Sequence, residues 1–175
     1  MTGISRIELD TSAMQQYAQF LRGAVASIAR EEMGVSLEQA LSLLEREIKE
    51  NVAPPGPGGA SGLLRGSIFH EMRGDAQGVS GVVGSPLNYA LPVELGTKPH
   101  FPPLAPLQDW VEKKLGVDKS ESRQVAFLIA RKISRKGTKA QHPFERGLSD
   151  NARQVVALIE AAIPRIVARL EQGER

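Results

Sequence analysis

Cysteine is absent from the chain. That excludes disulfides, thiolate nucleophiles and thiolate zinc sites, and it fits a reducing compartment or, equally, an oligomer that needs no staples. Aromatic residues are scarce at 5%, so a core must come from Leu, Ile, Val and Ala. No apolar run approaches the roughly 20 residues a membrane-spanning helix needs. The opening MTGISRIELD lacks the basic start and apolar block of a secretory leader, so no membrane partner is expected. Charge of one sign is not in large excess either: the net charge is +2 and the pI is near 9.0, which does not by itself argue for nucleic acid. What is present is 175 residues with 41% hydrophobic and 24% charged side chains, the balance of a folded globular protein. That length suits one domain with a real core. There is no internal repeat, so a single domain over 1–175 is expected.

The periodicity of apolar residues divides the chain into elements. Ser5 to Leu9 alternates like a short strand. Ser12 and Gln15 form a capping box ahead of a helix to about Met33. Gly34 interrupts it, and a second capping box, Ser36 with Gln39, starts a further helix that Pro54-Pro55 stops. Glu45 and Lys49 pair on its solvent side. A Pro- and Gly-rich connector, Ala53 to Gly62, follows. It resembles a phosphate loop only superficially, since Ser61 stands where a dinucleotide fingerprint has its third glycine and no Gly-Lys-Ser/Thr follows. Leu64 to Met72 and Val79 to Val83 read as the two strands of a hairpin, with Arg73-Gly74-Asp75 as ordinary turn chemistry. A compact apolar turn carries Tyr89, Ala90, Val93 and Glu94 and ends at Gly96-Thr97. Helices then follow from Ala105-Pro106 to Gly116, from Ser120 or Ser122 to Gly137, and from Pro143 onward, the last kinked or split at Pro164. Strands with helices grouped around them make the expected fold α+β: a small antiparallel hairpin sheet, long N- and C-terminal helices, and two inserted helices.

Little in the sequence suggests a reaction. The three histidines, His70, His100 and His142, are far apart and form no helical ligand pair, and no nucleophile elbow occurs. No catalytic residue, metal or cofactor is assigned, and an enzyme is not expected. Glu94 is the acid of most interest because its surroundings are apolar. An isolated acid without a catalytic partner more often accepts backbone amides of its own turn, here those of Gly96 and Thr97. The segment Trp110 to Ala140 has six more basic than acidic residues. Its Lys113, Lys114, Arg131, Lys132, Arg135, Lys136 and Lys139 form a candidate surface for DNA phosphates or an acidic partner, without the spacing or stacking aromatics of sequence-specific recognition.

The order of short motifs carries a resemblance. Ser61-Gly62-Leu63-Leu64-Arg65-Gly66-Ser67-Ile68 is followed by a Val-rich strand, then Tyr89-Ala90, Val93-Glu94-Leu95-Gly96-Thr97, and finally His142-Pro143-Phe144 with Leu148. From about residue 10 to 165 the chain resembles the minor tail component family of long-tailed bacteriophages, the tail-completion or head–tail joining proteins. That family reads Thr-Gly-x-Leu-Arg-x-Ser-Ile, then Tyr-Ala-x-x-Val-Glu-Phe-Gly-Thr, then Arg-Pro-Phe. Here Ser61 replaces Thr, Leu95 replaces Phe, His142 replaces Arg, and one extra residue precedes Arg65. Lys98 to Lys139 is a long insertion. The resemblance implies a structural virion protein, made in the host cytoplasm. It implies a homo-oligomeric ring, a hexamer, at the neck between tail tube and head connector, with DNA passing through the lumen. Its implied partners are further copies of itself, a tail terminator or tail tube protein, and head-completion or connector proteins. The expected interface residues are Tyr89, Glu94, Thr97, His100, Phe101, His142 and Phe144, with Phe144 anchoring in an apolar pocket. A non-specific DNA-binding module using Trp110 to Ala140 is the alternative.

Overall fold

A computed structural model describes residues 12–52, 62–74 and 78–173, with side chains of the first helix described from Arg22 onward. The expected Ser5–Leu9 strand, the connector from Ala53 to Ser61 and the tip of the hairpin turn lie outside the described residues.

The first helix, α1 (Ser12–Asn51), is continuous over 40 residues, and this corrects the expected break at Gly34. A helical glycine costs only about 1 kcal/mol relative to alanine, and the buried stripe runs straight across it: Ile28 precedes Gly34, and Ser36, Ala40, Leu41, Leu43 and Ile48 follow. Packing along that stripe outweighs the local penalty. Ser36 is therefore no cap. It is fully buried, and its Oγ accepts a hydrogen bond from Arg165 Nη2 at 2.7 Å.

After the connector, α2 (Leu63–Ser67) is a single turn entered through Gly62 in the left-handed region at φ 78°. The strand expected from Leu64 therefore begins only at Phe69, as β1 (Phe69–Gly74), which pairs antiparallel with β2 (Val79–Gly84). The helical turn sends both Leu64 and Ile68 inward, 0% and 2% exposed; an extended chain would also have exposed the amides that α2 satisfies internally. Ser67 Oγ donates to the Leu64 carbonyl at 2.8 Å and shares a 2.7 Å bond with Ser85 Oγ, which ties this turn to the chain leaving β2.

The remaining elements are α3 (Ala90–Leu95), α4 (Leu104–Leu115), α5 (Lys119–Lys136), α6 (Pro143–Glu160) and α7 (Ala162–Glu171). The split at Ala161 agrees with the reading of Pro164, which falls in the first turn of α7 where its missing N–H is not needed. The fold is α+β. The hairpin, α6 and α7 all pack against α1. Leu44, Ile48, Val52, Leu64, Ile68, Val83, Leu87, Ala90, Val93 and Phe144 form the core where α1, the hairpin, α3 and α6 meet. Two glycines set close approaches. A methyl group on Gly81 would lie 2.3 Å from Leu41 Cδ1, and one on Gly147 would lie 2.5 Å from Ile48 Cγ1, so β2 and α6 sit nearly backbone to side chain on α1.

The inserted helices pack chiefly against each other. Val111 of α4 and Ala126 and Ala130 of α5 are all fully buried, and Ser122 Oγ donates to Glu112 Oε1 at 2.7 Å while accepting from Gln108 Nε2 at 3.0 Å. Together they form a helical arm.

Candidate functional site

Two of the three motifs converge where the arm leaves the body. Thr97 and Thr138 form an isolated antiparallel bridge, with reciprocal backbone bonds of 3.1 and 3.2 Å. Gln141 N–H then donates to the Val93 carbonyl at 3.0 Å, and His142 N–H to the Glu94 carbonyl at 3.2 Å. This two-strand neck requires glycine on both sides. Gly96 and Gly137 have φ of 70° and 68°, and an added Cβ would come within 2.5 Å of the Thr138 carbonyl oxygen and 1.9 Å of the Thr97 carbonyl oxygen respectively.

Glu94 sits at the end of α3, opposite the start of α6. Its Oε2 accepts the Phe144 N–H at 2.9 Å and its Oε1 the Glu145 N–H at 3.0 Å. The structural role expected for this acid is correct in kind, but its partners are not the amides of Gly96 and Thr97. They lie fifty residues downstream, because the first turn of α6 has open donors and no side-chain cap of its own. A carboxylate there also meets the positive end of the helix dipole. His142, the residue before α6, adopts the left-handed conformation at φ 51°, ψ 44°. The turn it makes puts Phe144 against the core that contains Ile48 and Val93. Phe144 is half-buried and also lines an open groove of about 410 Å³ with Leu87, Ala90, Leu91 and Glu94.

Glu94, His142 and Glu145 bring three possible metal-ligating atoms within 4.8 Å of one another. His142 Nδ1 lies 2.8 Å from Glu145 Oε2 but outside hydrogen-bonding geometry, so it is a buried nitrogen without a hydrogen-bond partner. Both oxygens of Glu94 are already taken by amides, and the positive end of α6 points at the same spot and opposes a cation. The arrangement is a helix cap.

Other expected interface residues are spread around this junction. Tyr89 is exposed and lines a groove of about 450 Å³ with Leu63, Pro106, Trp110, Lys113 and Lys114. His100 is exposed and its Nδ1 donates to the Lys98 carbonyl at 2.9 Å. Phe101 stacks obliquely on Phe127 at a centroid distance of 6.1 Å. The basic residues border different grooves. Arg131, Lys132, Arg135 and Lys136 share a shallow groove of about 300 Å³ on α5 with Leu128. Lys113 and Lys114 face the Tyr89 groove, and Lys139 lies beside the neck.

Two polar clasps escaped the sequence reading. His70 on β1 sits between two acids of α1, with Nδ1 2.5 Å from Glu45 Oε2 and Nε2 2.9 Å from Glu38 Oε1. Its own N–H donates to Glu45 Oε2 at 3.1 Å. The hydrogen bond to Glu38 first, with Glu45 adding to it, raises the His70 pKa above its usual value against the opposing effect of burial. Lys49 pairs with Glu45 as expected, but the pair is partly buried beside the hairpin rather than on the solvent side; Lys49 is the main cause holding the Glu45 carboxyl low, with His70 adding to it. On the other side, Arg165 Nε donates to Glu32 Oε2 at 2.7 Å, and Arg169 Nη1 bridges Glu31 and Glu32 at 3.0 and 3.2 Å. Arg165 first, then Arg169, lowers the Glu32 pKa. Neither clasp had a local signal beyond charged residues on helix faces. Among the described residues no helix is long and apolar enough to cross a membrane. Compared with protein-family models, curated proteins and solved structures, the chain matches none.

Proposed function

We propose that this chain is a structural subunit of a bacteriophage neck, a tail-completion or head–tail joining protein that assembles as a ring and makes or breaks no covalent bond. One observation carries the reading. The Val93-Glu94-Leu95-Gly96-Thr97 and His142-Pro143-Phe144 motifs, separated by the whole inserted arm, meet at one junction, where Glu94 caps the helix that Phe144 begins. The second and third of the three motifs thus act together as one mechanical joint. Both Glu94 oxygens accept backbone amides of α6, which supports a structural role for this acid. Among the described residues no third strand pairs with the hairpin, so the β2 edge is suited to pairing with a neighbour, and head-to-tail contacts that close by rotation give rings. In such a ring the chain adjoins the tail terminator or tail tube on one side and the head-completion or connector proteins on the other. Cryo-electron microscopy of virions made with and without this chain tests the proposal. A ring of its density at the head-proximal end of the tail, missing from the deletion, is expected. Intact particles that never contain the chain would overturn it.

A second reading has its own observation. Arg131, Lys132, Arg135 and Lys136 follow one another along α5 and are exposed, as a non-specific contact to DNA phosphates requires. Duplex affinity falling steeply with salt, and losing slope in Arg131→Ala and Arg135→Ala variants, supports it; salt-insensitive or absent binding removes it.

A further inference from the structure

We infer that the α4–α5 arm docks on a second copy of this chain, its Phe127, Leu128 and Arg131 face seating in the groove between α1 and the hairpin of the neighbour. The arm side of this contact is unusual for a surface. Phe101, Phe127 and Leu128 are 53%, 45% and 56% exposed, and Phe127 and Leu128 lie on the face of α5 opposite the buried Ala126 and Ala130. Arg131 and Arg135 extend the same face by one and two turns. A cluster of large apolar side chains on an element that packs chiefly with itself marks an interaction surface rather than a core.

The body offers the counterpart. A groove of about 620 Å³ is lined by Arg30, Glu31, Val35, Glu38, Met72 and Val79, with Val35 51% and Met72 42% exposed. Its floor is apolar and two acids stand on its rim. Charge favours the pairing. From Lys98 to Lys139 the arm has ten basic and four acidic residues, a net +6 out of the chain's total +2, which leaves −4 on the rest. Glu31 also meets Arg169 and Glu38 also meets His70, so attraction comes from the overall charge difference more than from one new ion pair. Arm and groove are different surfaces, so the contact is heterologous: a docked pair still presents one free arm on one copy and one free groove on the other, as closure into a ring needs. The inference rests on the ring-subunit reading and names the surfaces that build it.

The absence of cysteine gives a direct test. Full-length Leu128→Cys and isotope-labelled Val35→Cys are mixed and oxidised with copper–phenanthroline. A mixture of Leu128→Cys with Arg153→Cys, which places the second thiol on α6, is the control. Both test positions are exposed, so folding is unaffected; circular dichroism checks this. Mixed dimers joining positions 128 and 35 are expected to form about tenfold faster than in the control. That excess should disappear at high salt or when Arg131→Glu and Arg135→Glu are added to the arm partner. Cross-linking no faster than the control overturns the contact. A neck ring seen in virions alongside that negative result would leave the ring-subunit reading intact and remove only this interface.

Discussion

Replacing Glu94 with alanine removes both acceptors that close the first turn of α6. Loss of a helix cap costs about 0.5–2 kcal/mol, and loss of an anion at the dipole's positive end about 0.3–1 kcal/mol. The carboxylate is half-buried, so water partly replaces it and the upper values for buried charged hydrogen bonds do not apply. A loss of about 2 kcal/mol is expected. For a chain of this size that corresponds to a drop of about 4–8 °C in Tm. Glu94→Gln keeps one acceptor oxygen and should lose about half as much. Urea denaturation of the parent and both variants, followed by circular dichroism, measures this order, and hydrogen exchange at the Phe144 and Glu145 amides localises it. If alanine costs less than about 0.5 kcal/mol, or those two amides keep their protection, Glu94 is not the cap and the junction is held by something else.

Further outcomes follow from the same geometry. Phe144→Ala should cost about 2–3 kcal/mol in urea denaturation, below the roughly 3–5 kcal/mol of a fully buried aromatic because the ring also borders open solvent. Gly137→Ala should cost more than about 2 kcal/mol, since it forces a side chain into the left-handed region and against the Thr97 carbonyl. Loss of hydrogen-exchange protection at the Thr138 amide would mark the neck as the part that fails. His70 titrates in a window fixed by the sign of its shift. Its pKa is raised in the fold, so its stabilising effect is complete below the unfolded value of 6.5 and fades as pH rises through the higher folded value. Urea midpoints measured across that range should fall with rising pH in the parent, and the slope should vanish in His70→Gln; an unchanged slope would mean the clasp does not contribute.

Much of this architecture was already legible in the residues. The ends of α4 and α5 at Gly116 and Gly137, the start of α6 at Pro143, the division at Pro164, the pairing of the hairpin and the Glu45–Lys49 pair all follow from rules that act within a few residues, so the sequence alone determined them. The errors came where a local signal met a distant partner. Gly34 and the Ser36–Gln39 box looked like a helix boundary, but α1 runs on because α6, α7 and the hairpin bury its stripe on both sides of the glycine. Leu64 looked like the start of a strand, but the core takes it from a helical turn. Glu94 was recognisable as an amide acceptor, yet which amides it accepts depended on where the arm returns the chain. His70 lodges between Glu38 and Glu45 because the hairpin lies across α1 at that height, and the acids of residues 31 and 32 meet Arg165 and Arg169 because α7 folds back along the same helix. Sequence spacing sets which residues share a face; only the packed chain decides what each face meets, because contacts between residues far apart in sequence depend on how the elements stack.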